Sequence, residues 1–207
     1  MDSYHLGLYG GTQLHGFGLR GGIAYTWHEV EARRAVAFGG FADALSADYD
    51  AGTVQLFGEA GYAMQAGNVA FEPFAGIAYV NLDVDGFGET GGAAALSGGG
   101  GSTETTFSTL GLRAWTDVVL GSQTVTLDGM LGWRHAFDDR TPVSTFAFAQ
   151  GLPFSVAGAP IASDAAVVEI GLGMNLSPDA SLNVSYGGQF GDGGEDHSAR
   201  ATFSYRF

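Results

Sequence analysis

The amino-acid sequence predicts an all-β protein, a transmembrane antiparallel β-barrel of the outer-membrane type with about nine readable strands. Three observations predict it. Side chains alternate with period two over runs of ten residues or more, above the ~5–6 residues typical of globular strands and matching the ~9–11 of a tilted membrane strand. One face of each run is almost free of charge and ends in Tyr, Trp or Phe, while the other holds Gly, Ala, Ser and Thr with scattered charges. The joins between runs alternate between short and long.

The strands are expected at roughly 3–11, 17–29, 49–65, 69–82, 105–119, 124–137, 165–177, 181–190 and 197–207. In the second, Phe17, Leu19, Ile23, Tyr25 and Trp27 share one face and Arg20, Ala24 and Thr26 the other. The third sets Val54, Leu56, Ala60, Tyr62 and Met64 against Gln55, Phe57 and Glu59. The fourth sets Val69, Phe71, Pro73, Ala75, Ile77 and Tyr79 against Glu72, Phe74 and Ala78. The fifth is the least regular, with Leu110, Leu112 and Ala114 opposite Phe107, Arg113 and Trp115. Val125, Leu127, Leu131 and Trp133 then oppose Asp128 and Arg134. Val168, Ile170, Leu172, Met174 and Leu176 oppose Glu169 and Asn175. Leu182, Val184 and Tyr186 oppose Asn183 and Ser185. Phe203, Tyr205 and Phe207 oppose Arg200, Thr202 and Arg206. Strict alternation over such lengths specifies strand.

The joins at Thr12–Gly16, Ala66–Asn68, Gly121–Gln123 and Ser177–Ala180 are short, those at Val30–Ala47, Asp83–Glu104 and Asp138–Asp164 long, and Gly191–Asp196 intermediate. Outer-membrane barrels have short periplasmic turns and long extracellular loops. The C-terminus is therefore expected in the periplasm and the long loops outside a Gram-negative cell. The Gly/Ala/Ser-rich stretch within Asp83–Glu104 reads as a mobile loop.

Composition closes off other classes. The chain has 207 residues and a net charge of −14, and its eight basic residues are all Arg. A polyanion would be repelled, so no nucleic-acid partner is expected. Cysteine is absent, which excludes disulfide scaffolds and thiolate chemistry. Hydrophobic residues make up 45%, which does not fit a disordered chain. An odd strand count conflicts with the even number of single-chain bacterial barrels, and Met1–His5 is no signal peptide. The expectation is that residues 1–207 form one domain whose first strands lie upstream.

The stretches EPFAGIAYVNL (Glu72–Leu82), TFSTLGLRA (Thr106–Ala114), LGWRHAF (Leu131–Phe137), FAFAQGLPFSVAGAPIASDAAVVEIGL (Phe146–Leu172) and ATFSYRF (Ala201–Phe207) resemble the C-terminal translocator domain of the type Va autotransporters. The resemblance covers nearly the whole chain. It implies a twelve-stranded barrel of which these are the last nine strands. Three strands, a pore-threading helix and an N-terminal passenger would lie upstream. It also implies anchoring in the outer membrane, export of that passenger, and insertion by the barrel-assembly machinery.

Candidate functional residues fall into two groups. Phe203, Tyr205 and Phe207, alternating up to a free carboxylate, are read as the recognition signal for the assembly machinery, a role that rests largely on the resemblance; they also suit an aromatic girdle. Arg20, Glu59, Glu72, Arg113, Asp128, Arg134, Glu169, Arg200 and Arg206 are expected to face the lumen. They either contact a passing polypeptide or, the reading favoured here, pair with one another, since an ionisable group at membrane depth needs a partner or water. Acidic loop residues Asp43, Asp48, Asp50, Asp83, Asp85, Glu89 and Glu104 either bridge through divalent cations to lipopolysaccharide or keep the loops soluble. No cofactor is expected.

His135 with Asp138 and Asp139 is read as a solvated strand end rather than a catalytic pair, because no Ser lies in a nucleophile elbow. His28 with Glu29 and Glu31 is a poor metal site, since neighbours on a strand point to opposite faces. GFGETGG (Gly86–Gly92) lacks the Lys of a phosphate loop. The expected function is non-enzymatic, namely outer-membrane anchoring and support of passenger export. The alternative is a stand-alone porin-like channel or structural barrel.

Overall fold

A computed structural model describes residues 1–121, 123–137, 141–192 and 194–206. In chain order the strands are β1 (Asp2–Leu14), β2 (Phe17–Phe38), β3 (Phe41–Tyr62), β4 (Met64–Ala66), β5 (Val69–Val84), β6 (Phe87–Gly88), β7 (Leu96–Gly98), β8 (Gly101–Leu120), β9 (Gln123–Phe137), β10 (Val143–Phe148), β11 (Phe154–Ala157), β12 (Asp164–Ser177), β13 (Ala180–Gly191) and β14 (Gly194–Tyr205). The main sheet runs β1-β2-β3-β5-β8-β9-β12-β13-β14, with β4 continuing the line of β3 beside β5. These nine long strands are the nine expected. Every neighbouring pair is antiparallel. Among the described residues β1 and β14 pair on one side only, so the sheet is open, a partial barrel.

Tight turns set the hairpins. Leu14 pairs with Phe17, and the two residues between them, His15 and Gly16, have φ of 52° and 89°. Phe38 pairs with Phe41 across Gly39 and Gly40, also at positive φ. Two central residues at positive φ match the twist of flanking strands.

The register places like with like. Leu19 faces Ala60 and Ile23 faces Leu56, Ala60 faces Ala75 and Leu56 faces Tyr79, Ala75 faces Leu110, and Leu110 faces Trp133. The apolar sets therefore merge into one continuous outer surface, and a one-residue slip would turn all of them inward. That surface is uncovered. Leu131 is 63% exposed, Ile170 60% and Phe203 62%, and among the described residues no side chain is fully buried. In water such a surface would aggregate; against lipid it is the solvated face. Outward aromatics stand toward both ends, with Tyr25, Trp27, Tyr79 and Trp133 at one and Phe17, Tyr62, Phe71 and Phe203 at the other. The membrane span lies between them.

Two expectations about the long joins are corrected. Val30–Ala47 is not a loop, because β2 and β3 continue in unbroken register to the turn at Gly39–Gly40. The stretch within Asp83–Glu104 is structured. It contributes β6 and β7 to a second, four-stranded sheet ordered β11-β10-β7-β6, completed by the join between β9 and β12. Aromatic rings link this sheet to β3: Phe87 stacks on Tyr49 of β3 at 4.8 Å, and tilted contacts join Phe87 to Phe146 at 6.3 Å and Phe146 to Phe154 at 6.0 Å.

Candidate functional site, the charged interior face

Antiparallel pairing puts Arg20 beside Glu59 and Glu72 beside Arg113 on the interior face. Arg20 Nη1 donates to Glu59 Oε1 at 2.7 Å and to Glu72 Oε1 at 2.6 Å, and Nη2 donates to Glu72 Oε2 at 3.0 Å. Arg113 closes the ring, donating to Glu59 at 2.8 and 2.6 Å and to Glu72 at 3.3 Å. Two cations and two anions from four adjacent strands thus form one neutral cluster. Glu72 is only 5% exposed, and its burial is tolerated because both carboxylate oxygens accept charge-assisted hydrogen bonds.

The packing around the cluster depends on two glycines. A Cβ on Gly61 would stand 2.5 Å from Glu72 Oε1, and one on Gly111 would stand 2.6 Å from the Phe74 ring. Glycine at these positions lets Glu72 and Phe74 lie flat on the sheet. The Arg113 guanidinium sits 3.8 Å from the Phe74 ring centroid, a cation–π contact.

The remaining expected interior charges do not join this cluster. Arg134 Nη1 donates to Gln189 Oε1 at 2.8 Å, while its buried Nε has no partner among the described residues. Asp128, Glu169 and Arg200 form no ion pair among the described residues. Asp128 lies over Gly171, where a Cβ would come within 2.3 Å of its carboxylate. Arg206 follows the last strand, its N–H donating to Asp179 O at 2.8 Å. The interior is therefore two-sided, with a closed neutral network on β2, β3, β5 and β8 and separate charges on β9, β12 and β14.

Phe203 and Tyr205 are each 62% exposed on the outer side of β14; Phe207 lies outside the described residues. Asp138 and Asp139 also lie outside them. His135 instead meets Asp164, Nδ1 to Oδ1 at 2.9 Å, and Trp133 Nε1 donates to the same oxygen at 3.0 Å. The His135 contact, with Trp133 adding to it, holds the Asp164 carboxyl below the usual carboxylate range. This pairing joins residues 29 positions apart, so only the β9–β12 register reveals it. His28 is engaged by Ser3 Oγ at 2.9 Å and Thr53 Oγ1 at 3.0 Å rather than by Glu29 or Glu31.

Sequence reasoning missed a second ion pair beyond the membrane span. Arg34 donates through Nε to Glu89 Oε1 at 3.1 Å and through Nη2 to Glu89 Oε2, and Nη2 also reaches Ala94 O at 2.9 Å. The signal was present as an Arg on the inward period of β2, but its partner sat in a stretch read as mobile.

A family model described as the autotransporter β-domain matches residues 1–187. Two proteins of Serratia marcescens described as extracellular serine proteases are each 38% identical over all 207 residues, and the chain spans 20% of their length. The translocator domain of the autotransporter NalP from Neisseria meningitidis superposes with a TM-score of 0.70 at 17% identity, covering 99% of this chain and 68% of that one. The chain belongs to the autotransporter β-domain family.

Proposed function

We propose that this β-domain anchors in the outer membrane and supports the export of an N-terminal passenger of its own polypeptide along the charged interior face. The observation that carries the reading is the inverted sheet, apolar outside and charged inside, in a chain of the autotransporter β-domain family. The neutral Arg20–Glu59–Glu72–Arg113 cluster supports a structural role for those four charges, whereas Asp128, Glu169 and Arg200, which form no ion pair among the described residues, contact the passing chain. Lipid covers the outer surface, with lipopolysaccharide around its outer aromatic level, the long joins outside the cell and the C-terminus in the periplasm. Residues 1–207 act as one translocator unit without a catalytic role of their own.

The barrel-assembly machinery reads β14. Supporting this, Phe203 and Tyr205 project outward from β14, each 62% exposed, in the alternating pattern of a strand that can be read by strand addition. The test is surface proteolysis of intact cells producing the full-length protein. Export predicts that passenger is shaved from the parent protein and that Phe203→Ala with Phe207→Ala lowers the amount of folded barrel in the membrane. Passenger that stays protease-protected in cells whose barrel is assembled would overturn the reading.

A further inference from the structure

Residues 86–98 are held against the interior side of the β2–β3 hairpin where it rises above the membrane. Strand parity shows which side this is. Glu59 faces the interior, β3 keeps unbroken register with β2 from Tyr62 to Phe41, and so Tyr49, Ala47, Leu45 and Asp43 share its face. By the same register Arg34, paired with Leu45, faces inward on β2. Side-chain contacts of the segment fall on this face: Phe87 stacks on Tyr49, Glu89 and Ala94 O take Arg34, and the Ala94 N–H donates to Asp43 Oδ2 at 2.9 Å. Leu45 and Ala47 are left 3% and 4% exposed.

The fit is close. A Cβ on Gly91 would stand 2.0 Å from Ala44 O, and one on Gly92 would stand 2.2 Å from the Asp43 carboxylate. Gly91 also has φ of +118°, where other residues are strained. Thr90 and Ser46 exchange backbone hydrogen bonds of 3.0 and 2.8 Å. At the other end the segment hangs from a neck of glycine, where a Cβ on Gly100 would meet Gly86 N and Val84 O at 3.0 Å. β7 also pairs with β10, so the segment belongs to the four-stranded sheet, and one bidentate ion pair, Arg34 to Glu89, ties it side chain to side chain to the hairpin.

We propose that residues 86–98 are a lid, latched by Arg34 to Glu89, which closes over the outer mouth of the barrel interior and swings aside when polypeptide passes. The proposal rests on the conduit reading, and the experiment separates the two. In the full-length protein this domain contributes no cysteine, so Ala47→Cys provides a reporter beneath the lid. A membrane-impermeant maleimide applied to intact cells should label it slowly in the parent background. Labelling should be at least tenfold faster with Arg34→Ala and Glu89→Gln, and slow again when the charges are exchanged as Arg34→Glu with Glu89→Arg. In parallel, Ser46→Cys with Thr90→Cys places two thiols on a hydrogen-bonded antiparallel pair, within disulfide reach. Oxidation should reduce surface passenger several-fold, and reductant should restore it. Equal labelling in parent and latch variants overturns the latch, and undiminished export through the oxidised lid overturns its gating role. Passenger missing from the surface in the parent as well would defeat the conduit reading, while the labelling arm still decides the latch.

Discussion

The β2–β3 hairpin crosses two environments, and its pattern inverts between them. Within the span, outward positions are apolar (Leu19, Ile23, Leu56) and inward ones polar or charged (Arg20, Thr26, Glu59). Beyond Trp27 the outward positions are Glu29, Glu31, Arg33, Asp48 and Asp50, all exposed, while the inward Val30, Ala32, Leu45, Ala47 and Tyr49 are half-buried or buried. The strand geometry is the same throughout. What changes is the solvent on the outside, lipid below and water above, and with it the side on which burial of apolar surface is favourable. The two ion clusters differ in the same way. The Arg20–Glu59–Glu72–Arg113 group satisfies charges inside the span, whereas Arg34–Glu89 fastens a segment in an aqueous region.

The largest effect should come from breaking the cluster in the span. Glu72→Ala leaves Arg20 and Arg113 with one carboxylate between them. It should destabilise the folded barrel by about 3 kcal/mol, the lower end for breaking a buried pair because Arg20 retains solvent contact. Heat or urea needed to abolish the compact species on detergent gels measures this. Arg34→Ala, at a partly exposed pair, should cost about 1 kcal/mol or less by the same measure.

Next is the inversion itself. Leu131→Arg puts a charge on the lipid face between the midplane and the outer aromatic level and should cost about 2 kcal/mol. Glu31→Leu, on the outward face above the membrane, should change stability by no more than about 0.5 kcal/mol. A comparable cost at both positions would show that the outer surface meets one medium along its whole length.

Acid should distinguish the two regions more mildly. Arg34, with help from the Leu96 N–H, holds the Glu89 carboxyl below the usual carboxylate range. The folded value is below the unfolded one, so the stabilisation is complete above the unfolded value of ~4.3 and is lost as pH falls through the folded value. On the same face of the hairpin, Asp43 accepts from the Ala94 N–H. Protection of the thiol introduced by Ala47→Cys should therefore be constant at neutral pH and decline below about pH 4, and Glu89→Gln should remove that decline.

The smallest effect is expected at the turn between β1 and β2. His15 occupies a positive-φ position before Gly16, where Asn is favoured. His15→Asn should stabilise by no more than about 0.5 kcal/mol in the same unfolding assay.

Much of this was legible in the residues. Period-two runs such as Phe17–Trp27 and Val125–Trp133 located nine strands and told the two faces apart, because each side chain's direction follows from strand geometry. The upper half of the β2–β3 hairpin escaped because its alternation has the opposite phase and its charges resemble a loop. The segment from Gly86 to Gly98 escaped because glycine and alanine carry no periodic signal. Its order comes from Asp43, Arg34 and Tyr49, distant in sequence. The nine interior charges were assigned to a face, but which of them pair could not be read from spacing.

The sequence by itself determined the medium this protein lives in. A two-residue rhythm with one apolar face is written locally, residue by residue, and requires lipid on one side. Only the tertiary structure decided that Arg20 and Arg113 share Glu59 and Glu72 while Asp128, Glu169 and Arg200 stay apart, and that a glycine-rich stretch folds back to Arg34. Those outcomes depend on the register between strands and on how loops meet, and neither is encoded in any single run of residues.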